Sequence, residues 1–348
     1  MGVVYKSPHS YCGATATLRK LANGDLLTVF REAMWRGFAS HIDPTARATM
    51  VRSTDGGETW HSPVTPDAAG ANGVAFNQLS DGTLLLHDFH WIYAPLSRKD
   101  ELKDFPSYQT RTAEQFGLVT AIDGMHVTRS TTDGYTWECP RPMDMPGFNS
   151  GSSVGGVIEL DDGTVLMPVD GHRDGDSRER SWIMSSTDGG LTWGYQGAVA
   201  VEDDSAIYQE LRLALLPGGR VLGTMRTPGS NFFLSHSDDG GKTWSTPEET
   251  PIWCYGSSPM DVIVLGDGRV LATYARRAEP FGIRACVSED GITWDTAGEI
   301  VLRDDGLDRD MGYPSSQQLD DGSILTVYYW HGDDQIRYIE CTKWTVDR

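Results

Sequence analysis

A chain of 348 residues, 39% of them apolar, with 39 glycines and 11 tryptophans has the composition of a folded globular protein rich in turns and repeated packing residues. Its formal net charge of −20 excludes the basic face that nucleic acid or an anionic membrane surface requires. It leaves room for a small anionic ligand, because a local group of arginines outweighs a distant, screened acidic surface. The five cysteines are dispersed and lack C-x-x-C spacing, which argues against a disulfide framework or a thiolate zinc site. No basic-then-apolar leader opens the sequence and no apolar run reaches membrane-spanning length, so a cytoplasmic protein is the simple expectation (a secreted protein trimmed of its leader reads the same).

Taken in order, the chain opens on a short apolar strand, Val3-Val4-Tyr5. A hairpin word follows, Leu21-Ala22-Asn23-Gly24-Asp25-Leu26-Leu27, and it returns with turn glycines at 82, 163, 219, 268 and 322. Asn-Gly and Asp-Gly between apolar runs are the strongest short hairpin signals, since the turn residues must accept positive φ. Apart from one long interval, the period is about fifty residues, the range of propeller blades. A second word, Ser53-Thr54-Asp55-Gly56-Gly57-Glu58-Thr59-Trp60, lies between these hairpins. It returns in full at 186–193 and 237–244 and in shortened form ending at Trp137 and Trp294. Its Asp and Ser/Thr side chains suit a turn held by side-chain-to-backbone bonds, and its Trp suits a gap between sheets. Trp344, fifty residues after Trp294, marks a sixth unit without the full word.

Two hairpins per unit give four antiparallel strands, and six such units give an all-β, six-bladed β-propeller. The expectation is a single domain over 1–348 without long helices, with Val3-Val4-Tyr5 closing the ring on the last blade. Two stretches break the period and read as loops near a binding face: about 89–128 in blade two, and 170–181 in blade three.

The Ser-x-Asp-x-Gly-x-Thr-Trp word at an outer hairpin is the Asp box, and with six Leu-x-Asp-Gly strand pairs the chain resembles the sialidase superfamily. In a propeller, residues at one offset in every repeat meet at a shared rim. Seven residues past the turn glycines stand Arg31, Phe89, Asp170, Arg226, Ala275 and Tyr329. The next two offsets add His90 and Arg276, then His172, Arg277 and His331. This set suits a polar, sugar-sized pocket. Inner strands are expected to begin at Tyr11-Cys12-Gly13, Phe76-Asn77, Gly151-Ser152-Ser153, Tyr208-Gln209-Glu210, Gly256-Ser257-Ser258 and Gly312-Tyr313.

The resemblance implies Tyr313 as nucleophile, Glu210 as the base that activates it, and Asp43 as acid/base. It also implies arginines at 226 and at 276 or 277 holding an acidic group. The first arginine of the sialidase pattern is absent from Tyr11-Cys12-Gly13-Ala14, and Arg31 across the same hairpin is the substitute. His41, two residues from Asp43, is a second candidate acid/base. The expected activity is exo-hydrolysis of a terminal acidic sugar, sialic acid or a relative. The alternatives are a uronate-glycan lyase or another exo-glycosidase using His41, or a non-catalytic glycan-binding propeller. The partner expected is a carbohydrate. No cofactor or metal is expected, since the acidic runs Glu202-Asp203-Asp204 and Asp304-Asp305 lack calcium-loop spacing.

Overall fold

The structure, a computed structural model, describes residues 1–61, 63–69, 71–105, 110–148, 151–173, 178–200, 207–229, 231–254 and 258–346. Six antiparallel sheets follow one another along the chain as the blades of a propeller. Blade one holds Ser10–Lys20, Leu26–Met34, Arg47–Ser53 and Val64–Asp67. Blade four holds Gln209–Leu215, Val221–Arg226, Asn231–Ser237 and Glu248–Trp253. Blade six takes Gly312–Gln318, Ile324–His331 and Arg337–Trp344 from the end of the chain. Its outer strand is Gly2–Tyr5, paired antiparallel to Arg337–Trp344, so the first strand closes the ring as expected. First strands of successive blades touch one another around the axis.

Both repeat words fold as turn chemistry dictates. In the inner hairpins Gly24 and Gly82 take φ of 90°, and Thr83 N–H donates to Asp81 Oδ1 at 2.8 Å. In the outer hairpins Ser186 Oγ accepts from Gly190 N at 2.9 Å, while Asp188 Oδ1 accepts from Thr192 N at 2.9 Å. The tryptophan then lies between blades: Trp193 packs with Leu85, Val165 and Met184, and Trp294 with Leu222, Val270 and Cys286. The Gly190 N–H is buried, so Ser186→Ala leaves a donor without a partner. We expect this variant to lose about 1–3 kcal/mol in urea unfolding with turnover unchanged.

Two expectations are corrected. The described part of the stretch 89–128 is mostly strand rather than loop. Leu84–Pro95 and Leu118–Ser130 form one long hairpin paired out to Pro95↔Leu118, with Thr110–Ala113 added alongside. Among the described residues, the charged 3-10 turn Leu96–Leu102 and the short 3-10 segment Glu114–Phe116 interrupt it. The far end of the hairpin braces blade one: Gln115 Nε2 donates to Ser40 Oγ at 3.0 Å, and Phe116 packs on Phe38. The second correction concerns strand heads: Phe76 lies mid-strand in Asn72–Gln78 and in the core, so that strand opens on the cavity at Asn72, and the first strand of blade three is Ile158–Glu159, with Ser152 joined to Asp170 by an isolated bridge. Gly256, Ser257 and the run Glu202-Asp203-Asp204 lie outside the described residues.

Candidate active site

The heads of the first strands carry a shared irregularity. Pairing with the second strand slips between Cys12 and Ala16, Asn72 and Ala75, Gln209 and Arg212, and Gly312 and Ser315. A bulge at this point re-aims the side chain at its centre. In blade two the residue just inside the strand is Gly73, with φ of 60°, which glycine adopts freely. At the same place blades four and six carry Glu210, φ 53°, and Tyr313, φ 49°. Non-glycine residues in this region cost about 1–3 kcal/mol and cluster at functional sites.

The two strained residues meet. Tyr313 donates its hydroxyl hydrogen to Glu210 Oε1 at 2.5 Å. Arg226, opposite Gln209 in the neighbouring strand, brings Nε to 2.9 Å from Glu210 Oε2. That contact is an ion pair by distance, with the N–H aimed off the line between the atoms. Burial pushes Glu210 up from its ordinary value, and Arg226 opposes the shift. Burial and the adjacent Glu210 carboxylate push the Tyr313 phenol well up. The hydrogen-bond acceptor in contact with this phenol is Glu210.

Asp170 lies beneath the pair. Its Oδ2 accepts from Glu210 N at 2.7 Å and its Oδ1 from Ser181 Oγ at 2.6 Å. Burial, with the Glu179 and Glu210 charges, pushes it up to about 8. A neutral Asp170 leaves Glu210 free to carry the site's negative charge. Its folded value lies above the ordinary 3.8, so the native state holds a proton that the unfolded chain releases. The contribution to stability is complete below about 3.8 and is lost as pH rises through about 8. Asp170→Asn should therefore flatten the fall in stability across that window, as measured by urea unfolding at stepped pH.

Arg277, not Arg276, turns toward the tyrosine. Its guanidinium carbon lies 5.6 Å from the Tyr313 ring centroid, and its Nη2 donates to Tyr329 Oη at 2.8 Å. Arg276 Nη2 donates to the Glu279 carbonyl at 3.1 Å. Beside Tyr329 opens a small cavity lined by Cys12, Gly13, Arg31, His41, Asp310 and Arg337. Arg31 is buried there, its Nη2 held by the carbonyls of Ser40 at 3.0 Å and His41 at 3.3 Å. His41 is solvent-accessible through this cavity but hemmed in by protein. Burial and Arg31 pull its imidazole down from the ordinary value against Asp310.

Other sequence candidates make their polar contacts with other partners. Asp43 is fully buried, with Arg36 Nη1 at 2.7 Å and the Thr45 hydroxyl at 2.7 Å on its two oxygens. His90 points to Asp67 and Asp88, its Nε2 2.9 Å and 3.3 Å from their oxygens, and stacks on His126. Burial opposes charge on His90, but the two carboxylates outweigh it and push the imidazole up to about 9. These three residues are the group of metal-ligand type among the described residues. A protonated imidazole between two carboxylates already accounts for their short contacts. His172 follows the end of the strand Val165–Gly171.

The description of the BNR repeat-like domain matches residues 110–326. The chain belongs to the BNR repeat-like domain family. A curated sialidase of Bacteroides fragilis (strain YCH46) is 23% identical to this BNR-repeat chain over 314 residues, 83% of the chain and 54% of the relative. The chain thus spans about half the length of the curated relative it matches. Among solved structures, a protein of unknown function from Dyadobacter fermentans DSM 18053 superposes with a TM-score of 0.86 at 28% identity, over 99% of this chain and 98% of its own. The intramolecular trans-sialidase of Ruminococcus gnavus, solved with oseltamivir carboxylate, superposes at 0.73 with 13% identity, over 99% and 97%. The BNR-repeat chain therefore has the sialidase-like propeller fold.

Two residues lining the cavity of this BNR-repeat propeller escape sequence reasoning, Asp310 and Arg337. Arg337 Nε donates to Asp310 Oδ2 at 2.9 Å, and Asp310 Oδ1 accepts from Tyr329 Oη at 3.0 Å. Arg337 begins the third strand of its blade. Its place at the head of a third strand, beside the heads of the first and second, is the signal that marks it.

Proposed function

We propose that this BNR-repeat propeller is an exo-acting glycoside hydrolase that releases a terminal acidic sugar with retention, through a glycosyl–tyrosine intermediate. The observation that carries the reading is the Tyr313–Glu210 hydrogen bond, made by two residues held in the left-handed region. A carboxylate nucleophile is repelled by an acidic group next to the anomeric carbon, whereas a neutral phenol is not; tyrosine replaces the second carboxylate in sialidases for this chemistry. In the first step Tyr313 Oη bonds to the anomeric carbon, its proton passes to Glu210 Oε1, and the bond to the leaving oxygen breaks. The leaving oxygen takes a proton from an acid in the 40–43 loop. In the second step the conjugate base left in the 40–43 loop takes a proton from water, whose oxygen bonds to the same carbon; the sugar–Tyr313 bond breaks, and Glu210 returns its proton to the phenol.

Arg226 and Arg277 would hold the acidic group, with Arg31 and Arg337 lining the adjoining cavity in place of the arginine missing from Tyr11-Cys12-Gly13-Ala14. His41 lines that cavity, whereas Asp43 is buried on Arg36 and Thr45, which favours His41 as the donor to the leaving oxygen. The test is a panel of aryl and alkyl glycosides of sialic acids and uronic acids, each paired with its neutral, carboxyl-reduced analogue. Turnover is expected only with acidic sugars. His41→Gln should slow the alkyl glycosides about tenfold more than the aryl ones, whose leaving groups need no proton. An unsaturated product absorbing in the ultraviolet would assign a lyase instead, and binding without turnover across the panel would assign a lectin-like role.

A further inference from the structure

Below the Tyr313–Glu210 pair, the propeller axis encloses a second cavity of about 120 Å³. Arg19, Arg212 and Asp261 line it, with Thr17, Ser315 and uncharged neighbours completing the wall. Two guanidiniums face one carboxylate, so the formal charge of the lining is one positive unit. Both oxygens of that carboxylate already accept. Asp261 Oδ1 takes Arg212 Nη1 at 3.1 Å, and its Oδ2 takes the Ser316 N–H at 2.7 Å.

Arg212 is only 7% exposed, and its Nε and Nη2 have no hydrogen-bond partner. Buried guanidinium donors left unmet cost several kcal/mol unless something accepts from them. Arg19 enters from the blade-one side. Its guanidinium occupies the space a side chain at Gly156 would fill, with Nη2 2.8 Å from where that Cβ would sit. Burial pulls the Arg19 guanidinium down from its ordinary value; Asp261 opposes this and Arg212 adds to it. Two cations in one cavity, sharing one spent anion, form a site short of one negative charge.

We infer that this axial cavity binds a small monovalent inorganic anion, chloride in the cell, between the Arg19 and Arg212 guanidiniums. The overall charge of −20 does not oppose this, because the field in the cavity is set by the two adjacent cations rather than by distant, screened surface carboxylates. The site also bears on the chemistry above it. Arg212 stands two residues after Glu210 in the same strand, and its Nη1 donates to the carbonyl of Pro314, next to Tyr313, at 2.9 Å. An anion that fixes Arg212 fixes the backbone on which both strained residues stand. It requires no particular substrate, so it stands or falls apart from the glycosidase reading.

The test is a crystal of the whole chain grown in bromide and measured at the bromine absorption edge. It is run beside thermal unfolding in chloride and in gluconate at equal ionic strength. The expected result is one anomalous peak within hydrogen-bonding reach of Arg212 Nε and Nη2. The unfolding midpoint should be higher in chloride by about 3 °C, saturably. Arg19→Gln should abolish both signals while keeping the native circular dichroism. Gly156→Ala, which displaces the Arg19 guanidinium, should weaken both if the Arg19 variant does not fold. Water alone in the cavity of the native protein, or equal midpoints in the two salts, would overturn the inference.

Discussion

Tyr313→Phe is expected to reduce kcat/KM on an aryl glycoside of an acidic sugar by about a thousandfold or more, with the unfolding midpoint little changed. The magnitude follows from the role: without the phenol oxygen no covalent intermediate forms, and what survives is binding and electrostatic stabilisation alone. The small effect on folding follows from the packing. The ring stays in its place beside Tyr329, centroids 6.1 Å apart, and only the hydroxyl bonded to Glu210 is removed. That removal leaves Glu210 with its Arg226 ion pair, so no charge is stranded. The same variant separates mechanisms. A 3-fluoro glycosyl fluoride should label the native protein at the Tyr313 peptide by mass spectrometry and leave the phenylalanine variant unlabelled. Labelling at any other residue, or turnover by the variant within tenfold of native, would remove tyrosine from the mechanism.

What could be read from the sequence divides along a physical line. Local turn chemistry is encoded in consecutive residues, so Asp81-Gly82 and Ser186 to Trp193 disclose their hairpins directly, and the hairpins count the blades. Once the blades are counted, symmetry brings the strand ends at one rim together, which is how the sequence gathers Glu210 and Tyr313 from first-strand heads and Arg226 and Arg277 from second-strand ends. The method fails where a residue's fate depends on a partner set by loop geometry. Asp43 looks like an exposed loop carboxylate until Arg36 and Thr45 close on it. His90 stands at a rim offset, but Asp88 two residues earlier lies on the same face of the strand and draws it to the Asp67 side. Arg276 and Arg277 straddle the end of Val270–Arg276, where strand alternation stops dictating direction. The left-handed backbone of Glu210 and Tyr313 is hidden for a different reason. Sequence signals positive φ through glycine, as at Gly73, and functional sites are where other residues are forced into it.

Glu210→Gln is expected to reduce kcat/KM by about a hundred- to ten-thousandfold and to abolish the acid limb of its pH profile. The native limb should lie above the ordinary carboxylate range, because burial raises Glu210 more than Arg226, Tyr313 and the farther arginines lower it. The sign is fixed by the chemistry: the base must be ionised to take the Tyr313 proton, so activity rises with pH through the Glu210 value and falls below it. The glutamine keeps the shape and still accepts the phenol hydrogen bond through its oxygen, but cannot take the proton. Ground-state binding should therefore survive and the loss should fall on kcat rather than KM. Asp170 serves as the internal control. It touches the backbone of Glu210 but not its carboxylate, and it holds its own proton up to about 8. Asp170→Asn should leave the limb in place and little shifted, because the native Asp170 already holds its proton up to about 8 and the asparagine is neutral too. If both variants lost the limb equally, the titrating group would be the coupled carboxyl pair rather than Glu210. If neither lost it, the proton would leave Tyr313 by another route, and the 2.5 Å hydrogen bond would position the phenol without activating it.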